Sequence, residues 1–280
     1  MLVHSKGGRW AAWSLFGILF VPLFALPLLV VVAASFSSHW SGAFPSGPTA
    51  ENYASAVRGE SLQALTTSLV TALAASLLAL TAGTWAALAA AGLDKSGGNA
   101  EPGRGAKLGR RGKRALDALF MLPVAVPSVV VGLAVLVAFS KPPLLLNGTS
   151  TIVVLAHTIL VTAFAYQSVS AALVRLDPAY EQAAASLGAR PAYVLWRVRL
   201  PLLLPSLTAA AGLCFALSMG ELSATMMLYP PDWMPLPVRI FTATDRGSLF
   251  AGSAVAVVLM AATLLVLLAV SRIRTRASYR

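Results

Sequence analysis

Charged residues are scarce in this sequence, and their scarcity excludes an ordinary soluble fold. Only 11% of the 280 residues are Asp, Glu, Lys or Arg, whereas 58% are hydrophobic. About a quarter of the residues of a soluble domain carry charge. The mean hydropathy of +0.77 agrees, and the length suits one membrane domain rather than two soluble domains.

The residue groups that carry catalysis and metal binding are also missing. Cys214 is the single cysteine and lies in an apolar run, so we expect neither a disulfide framework nor a metal cluster. No Gly-x-x-x-x-Gly-Lys-Ser/Thr motif occurs, so the chain should not hydrolyse ATP by itself. Ser–His–Asp sets and paired carboxylates are lacking too. We therefore predict no catalytic residues, no metal ligands and no cofactor.

Six apolar segments are each long enough to cross a bilayer, which takes about 20 residues. Because apolar and polar residues do not alternate along them, helices are favoured over strands. The sequence therefore predicts an all-α polytopic membrane protein with six transmembrane helices. The six segments are Ser14–Phe36, Leu65–Leu93, Leu116–Phe139, Thr151–Leu173, Leu202–Leu228 and Leu249–Val270.

Lys and Arg are distributed unevenly between the two sides of these segments. One side, which carries both termini, holds 17 of them, and the other holds four: Arg58, Lys141, Arg239 and Arg246. Since an excess of Lys and Arg marks the cytoplasmic side, we predict that both termini are cytoplasmic. The net charge of +11 is then a topology signal, and we expect no nucleic-acid partner. The predicted divisions are a cytoplasmic N-terminus at 1–13, a membrane domain at 14–270 with a cytoplasmic loop at 174–201, and a basic cytoplasmic tail at 271–280.

The stretch Tyr180–Pro205 is a polar interruption on the predicted cytoplasmic side. The Ala-rich segment Glu181–Leu187 favours a helix, and Asp177 before Pro178 is a helix start signal. Gly188 stands where a left-handed residue would end that helix. With a second helix predicted over Tyr193–Leu200, the stretch is expected to form a helix, a turn and a second helix.

Glu221 is the one acidic residue well inside a predicted span, where an ionised carboxylate is costly. Ser218 and Thr225 lie three residues before it and four after it, on the same helical face, and are expected to hydrogen-bond its carboxylate. Two interpretations stay open: Glu221 lines or gates a transport pathway, or it makes a helix–helix hydrogen bond.

The fourth segment carries one continuous polar face. Its members, spaced four residues apart, are Thr158, Thr162, Tyr166 and Ser170. Such a face is expected at a water-filled route or at a helix contact, where hydroxyl groups hydrogen-bond between helices. His157 beside it is interpreted as a hydrogen-bonded packing residue rather than a metal ligand.

Proline residues interrupt two of the six segments. Pro22 and Pro27 lie in the first, and Pro123 and Pro127 in the third. They are predicted to kink or break these helices.

The cytoplasmic stretch resembles the signature loop of permease subunits of binding-protein-dependent ABC importers. The loop of that family reads Glu-Ala-Ala-x-x-x-Gly, with Leu-Pro about a dozen residues later. The matching residues here are Gln182-Ala183-Ala184, Gly188 and Leu200-Pro201, followed by Pro205. This chain departs from the pattern in having Gln182 at the position of the motif Glu, while Glu181 stands one residue earlier.

The resemblance implies the MetI-like permease fold of type I ABC importers, with a coupling helix that docks in a groove on the ATPase subunit. The residues it assigns to ATPase coupling are Glu181, Gln182, Ala183, Ala184, Gly188, Ala189, Arg190, Leu200 and Pro201. The implied partners are two copies of an ATPase subunit, a second permease that is identical or homologous, a periplasmic or lipid-anchored substrate-binding protein and the lipid bilayer. The implied location is the cytoplasmic membrane of a prokaryote.

Two further stretches, Gly220–Pro230 and Leu236–Gly247, are similar to permeases of phosphonate and 2-aminoethylphosphonate importers. The broader group includes sulfate, molybdate, thiamine, iron and polyamine systems, which stay open as alternatives. The expected pathway residues are Thr158, Thr162, Tyr166, Ser170, Ser218, Glu221 and Thr225. A competing hypothesis is a secondary transporter that uses Glu221 as a proton or ion site.

Overall fold

The computed structural model describes residues 6–42, 44–98 and 104–272. Within these ranges the regular secondary structure is helical apart from one short hairpin. The hairpin strands are β1 (Ser37–Ser41) and β2 (Phe44–Pro48). The helices are α1 (Lys6–Ser35), α2 (Glu51–Ala56), α3 (Gly59–Gly98), α4 (Arg104–Ala125), α5 (Ser128–Ala138), α6 (Ser150–Arg175), α7 (Ala179–Ser186), α8 (Pro191–Val194), α9 (Leu200–Met219), α10 (Ser223–Leu228), α11 (Leu236–Asp245) and α12 (Leu249–Ser271).

Five helical stretches are long and apolar enough to cross a membrane. They are Gly7–Ser35, Gly59–Leu93, Ser150–Arg175, Pro191–Met219 and Leu249–Ser271. The pair Lys107–Ala125 and Ser128–Ala138 passes the same criteria together, although the two helices meet at an angle of 107°. Counted as one broken span, this pair gives the predicted total of six.

The third predicted segment, Leu116–Phe139, is not one continuous helix. It divides at Val126-Pro127 into α4 and α5. Pro127 has no N–H group to donate, and it disfavours the helical conformation in the residue before it. The predicted break is confirmed at Pro127, whereas Pro22 and Pro27 lie inside α1 and Pro123 inside α4.

The fifth predicted segment, Leu202–Leu228, is also interrupted. Its helix begins earlier, at Pro191, and ends at Met219. Residues 220–222 are not helical, and α10 begins at Ser223. The expectation of an unbroken helix was wrong because Gly220 weakens helix formation and the Glu221 side chain bonds to the backbone of the next helix.

The chain divides into two compact units, of which the first contains the described residues up to 63 together with 239–261. In this unit the hairpin and α2 cover the carboxyl end of α1, where helix carbonyl groups lack partners. The amide of Asn52 donates to the backbone oxygens of Ser35 and Ser37, at 3.1 and 2.9 Å. The hydroxyl groups of Ser35 and Tyr53 are 2.7 Å apart. Helix α1 begins at Lys6, inside the predicted 1–13 segment; residues 1–5 and most of the 271–280 tail lie outside the described ranges.

The second unit contains 64–238 and the described residues from 262 onward, and α6 is its central helix. One cluster joins α6 to α3 and α9 through Val161, Ala165, Ala79 and Cys214. Another joins it to α5 and α10. Small residues permit these close approaches: a Cβ atom on Gly83 would lie 2.8 Å from the backbone nitrogen of Tyr166.

Replacing Gly132 with Ala tests the packing of α5 on α10. The new Cβ atom would lie 2.8 Å from the Cα atom of Ala224, so one helix must shift, and overpacking of this kind costs about 1–3 kcal/mol. We expect a lower midpoint of thermal unfolding for the detergent-purified Gly132→Ala variant. The matched control is Gly17→Ala, because nothing lies within 4 Å of a Cβ atom on Gly17 in α1. Equal midpoints for the two variants would contradict the packing described here.

Candidate functional site

The two helix breaks line a common pocket. The α4–α5 break and the end of α9 enclose a cavity of about 240 Å³ together with α6. Its walls are largely apolar, and its polar side chains are Ser128, His157, Ser218 and Glu221. Discontinuous helices with polar side chains at the break are typical of solute sites in transporters.

Glu221 lies in the break rather than on a helical face. Its Oε1 atom accepts a hydrogen bond of 2.8 Å from the backbone N–H of Ala224, which caps the first turn of α10. The side chain is half-buried. The carboxylate thus supplies a partner for a backbone group that the break leaves unsatisfied.

Ser218 and Thr225 do not hydrogen-bond the Glu221 carboxylate, so that expectation was wrong. Both hydroxyl groups contact His157 instead. Nδ1 of His157 lies 2.7 Å from Ser218 Oγ, and Nε2 lies 2.8 Å from Thr225 Oγ1. Thr225 also donates to the backbone oxygen of Glu221 at 3.0 Å.

His157 joins three helices across the break. It lies on α6, is 2% exposed and holds one residue from α9 and one from α10. The interpretation of His157 as a hydrogen-bonded packing residue is confirmed. In the described part of the chain, no group of three or more His, Cys, Asp or Glu side chains is arranged to hold a metal ion.

The polar face of α6 divides into two parts. Thr158 and Thr162 donate to backbone oxygens of their own helix, at 2.7 and 2.5 Å. Tyr166 instead donates from its hydroxyl group to Asp117 on α4. Tyr166 and Ser170 line a second cavity, of about 180 Å³, with Asp117 and Lys113. The expected continuous stripe is therefore two separate environments.

Asp117 is a polar residue of this region that the sequence reasoning missed. It is half-buried and bonds to the hydroxyl group of a tyrosine that is 3% exposed. The sequence feature that could have identified Asp117 is its position inside the third apolar segment, directly after Leu116.

Helix α7 matches the predicted short cytoplasmic helix. Asp177 Oδ1 accepts a hydrogen bond from Ala179 N at 2.9 Å, which satisfies a free donor of the first turn. At the other end Gly188 has φ = +78°. Its N–H bonds to Ala185 O, and that of Ala189 bonds to Ala184 O, the pattern of a Schellman cap. The predicted helix and its glycine ending are confirmed.

An ion pair ties α7 to the helix that follows. The guanidinium group of Arg199 donates to both carboxylate oxygens of Glu181, with 2.6 Å from Nη2 to Oε2. Each side chain is only 21% exposed, and two-pronged pairs of this kind are strong and directional. Arg199 lies in a π-helical turn, Leu195–Arg199, that joins α8 to α9. Sequence reasoning did not find this pair because it joins residues 18 positions apart.

The other loop residues form an exposed surface. Gln182, Ala183, Gly188, Arg190 and Pro201 are exposed, whereas Ala184, Ala189 and Leu200 are half-buried. Leu187, at the end of α7, is 89% exposed. Leu187 thus adds an apolar side chain to the exposed face of the loop.

A double-mutant cycle tests the His157 bridge. In His157→Leu the two hydroxyl groups lose their buried partner, which costs about 1–3 kcal/mol. We expect Ser218→Ala to destabilise the wild type but to have a smaller effect in the His157→Leu background. The measurement is the free energy of unfolding of the four proteins in detergent. Additive effects would show that the two side chains are not coupled.

Comparisons with known proteins agree with this architecture. The family model described as "Binding-protein-dependent transport system inner membrane component" matches residues 103–278. The PhnV protein of Salmonella typhimurium, whose name assigns it to a 2-aminoethylphosphonate transport system, is 45% identical over 276 residues, covering 99% of this chain and 98% of PhnV.

Two solved structures share the fold at low sequence identity. One is a bacterial alginate ABC transporter in complex with a periplasmic protein that holds an alginate pentasaccharide. It has a TM-score of 0.69 and 16% identity, and it covers 96% of this chain and 95% of its own. The other is the MetNI methionine ABC transporter in inward-facing conformations, with a TM-score of 0.59, 19% identity and coverage of 80% and 100%.

The family match covers more than half of the chain, and the PhnV match covers nearly all of it. The chain belongs to the inner-membrane components of binding-protein-dependent transport systems, and it is a permease subunit of an ABC importer.

Proposed function

We propose that this permease carries 2-aminoethylphosphonate or a closely related small aminophosphonate. The observation that carries the proposal is the 45% identity to PhnV over almost the full length of both chains. That span includes both helix breaks and the pocket between them. A fold likeness at 16–19% identity supports the transport architecture but not a substrate.

We further propose that Glu221 faces the transport pathway at the break between α9 and α10. The carboxylate is half-buried, lines the 240 Å³ pocket and keeps one oxygen beyond the Ala224 contact. A negative group beside a route favours the ammonium end of a zwitterion. Ser218 and Thr225 are 4% and 0% exposed, so their part in the proposal is to hold the break in shape. Thr158 and Thr162 are proposed to border this route, and Tyr166 and Ser170 to border it at the separate cavity that they line with Asp117.

The third element of the proposal is coupling to the partner ATPase through α7. The support is the exposed face at Gln182 and Ala183 and the exposed Leu187 side chain. Because Glu181 and Arg199 form a two-pronged ion pair, a displacement of α7 would pass to the helix Pro191–Met219. The loop would then lie in the cytoplasm, as the Lys and Arg distribution predicts.

The proposed assembly contains two permeases, two ATPase subunits and an external substrate-binding protein. Helix α1 is consistent with this assembly, because no residue of its most apolar stretch is buried within this chain. Its surface is therefore available to lipid or to another subunit. A lone chain of six spans would form half of the pathway.

The substrate assignment is tested by uptake. We expect cells that express the full importer to accumulate radiolabelled 2-aminoethylphosphonate, and deletion of this permease to abolish accumulation, with molybdate and sulfate as comparison solutes. In membrane vesicles, uptake should need ATP. Uptake that persists without ATP and without an ATPase subunit would favour the secondary-transporter hypothesis. Accumulation of molybdate or sulfate, but not of 2-aminoethylphosphonate, would overturn the substrate assignment.

The coupling assignment is tested at Gly188. Its φ of +78° strains any side chain with a branched Cβ, so Gly188→Val should distort the end of α7. We expect at least a tenfold loss of ATP-driven uptake at an unchanged level of membrane protein. The matched control is Gly148→Val, because Gly148 has φ = +77° and, like Gly188, has nothing within 4 Å of its Cβ position. Unchanged uptake in Gly188→Val, or an equal loss in both variants, would rule out a specific role of the loop.

A further inference from the structure

A third pocket, also with polar walls, lies within the first unit, at the predicted external ends of α3 and α12. It has a volume of about 530 Å³ and is bordered by the α2–α3 connection, α11 and the start of α12. Three arginines line it: Arg58, Arg239 and Arg246. Hydroxyl groups from all of these segments also reach its walls.

The local structure explains why these arginines meet. Arg239 lies in α11, and Arg246 directly follows its last residue, Asp245, with its N–H still bonded to Thr242 O. The two arginines are seven residues apart, or about two helical turns, so they lie on the same side. Gly247 then ends α11 with φ = +81°, and the chain reverses into α12. The methyl group of Thr244 lies so close to Gly252 that a Cβ atom there would be 2.8 Å away. This packing holds the reversal against α12.

The charges in the pocket are not balanced. Glu60 is the one acidic residue that lines it, and it forms an ion pair with Arg239. The side chains of Arg58 and Arg246 are exposed, and neither makes an ion pair within the described ranges of the chain. Two cationic groups therefore face the pocket without a counter-charge from this chain.

Topology alone does not account for this cluster. The predicted external side carries only four Lys and Arg residues, and three of them line this one pocket. The orientation of a membrane protein depends on having few Lys and Arg residues on the external side. It does not require those few residues to lie close together. Convergence of like charges is unfavourable unless an anion compensates it.

We propose that this pocket binds a tetrahedral oxyanion of the phosphate or phosphonate type, held between Arg58 and Arg246. Guanidinium groups bond such oxyanions with two parallel N–H donors. The hydroxyl group of Ser248 adds a neutral donor in the same pocket, whereas that of Ser55 donates to Asn52 O. The Arg239–Glu60 pair forms one wall. The oxyanion comes from a small phosphate or phosphonate solute or from the phosphate of a lipid headgroup.

Binding to the full-length chain, purified in a maltoside detergent without phosphate, tests the proposal. Inorganic phosphate is titrated by calorimetry into wild type, an Arg58→Gln/Arg246→Gln double variant and Lys141→Gln. Lys141 is the matched control because it is the external basic residue outside the pocket. We expect saturable binding to wild type and Lys141→Gln, and at least tenfold weaker binding to the double variant. Acetate should bind at least tenfold more weakly than phosphate.

Further variants distinguish the loss of the arginine donors from a loss of folding. Arg58→Lys/Arg246→Lys keeps both charges but not the paired donors, so its affinity should lie between those of wild type and the double Gln variant. All variants should keep the thermal unfolding midpoint of ligand-free wild type, because the two side chains are exposed. Absence of saturable phosphate binding, equal binding to wild type and the double variant, or equal binding of acetate and phosphate would each overturn the proposal.

Two additional arms identify the source of the oxyanion. 2-Aminoethylphosphonate is titrated in the same way, and native mass spectrometry measures phospholipid that stays bound. A solute source predicts that 2-aminoethylphosphonate competes with phosphate and that added phosphatidylglycerol does not. A lipid source predicts that phosphatidylglycerol displaces phosphate and that the double variant retains less phospholipid than wild type. Because no arm measures uptake, failure here is distinguishable from failure of the proposed transport function.

Discussion

The centre of the second unit depends on the two hydrogen bonds of the buried His157 imidazole. Within a membrane, backbone groups at a helix break have no water to satisfy them, so a break needs partners from the protein itself. Here the Glu221 carboxylate bonds to α10, and His157 bonds to the hydroxyl groups on both sides of the break. These bonds fix the break against α6, in addition to the apolar packing of α9 and α10 on that helix.

The two broken helices support each other through close backbone contact. Gly132 on α5 and Ala224 on α10 approach so closely that no side chain fits between them. Both α5 and α10 are short, and a short helix has little stability of its own. Their mutual packing, and their packing on α6, gives the region its shape. The pocket beside Glu221 therefore exists because two interruptions occur at the same depth.

The sequence was sufficient for the class of fold and for the short helix and turn within Tyr180–Pro205. Long apolar segments identify membrane helices by length alone, and local signals at Asp177 and Gly188 correctly placed the ends of α7. It was insufficient for the interruption at Glu221, because Ser218, Glu221 and Thr225 have the spacing of one continuous helix. It also missed Asp117 and the Glu181–Arg199 pair, since contacts between helices leave no periodic signal along one segment. The sequence indicated that His157 is a hydrogen-bonded packing residue. Only the structure shows that its partners are Ser218 and Thr225.

The helical run from Pro191 to Met219, which includes the π-helical turn Leu195–Arg199, has a mechanical consequence. At 1.5 Å per residue its 29 residues make a rod roughly 43 Å long. One end begins next to the α7 turn, and the other ends one residue before the Gly220-Glu221 pair. By the same geometry, a tilt of about 5° at the first end displaces the second by roughly 4 Å, more than the length of a hydrogen bond. With α6 held in place, a tilt of this size is enough to separate the Ser218 hydroxyl group from the His157 ring, which lie 2.7 Å apart.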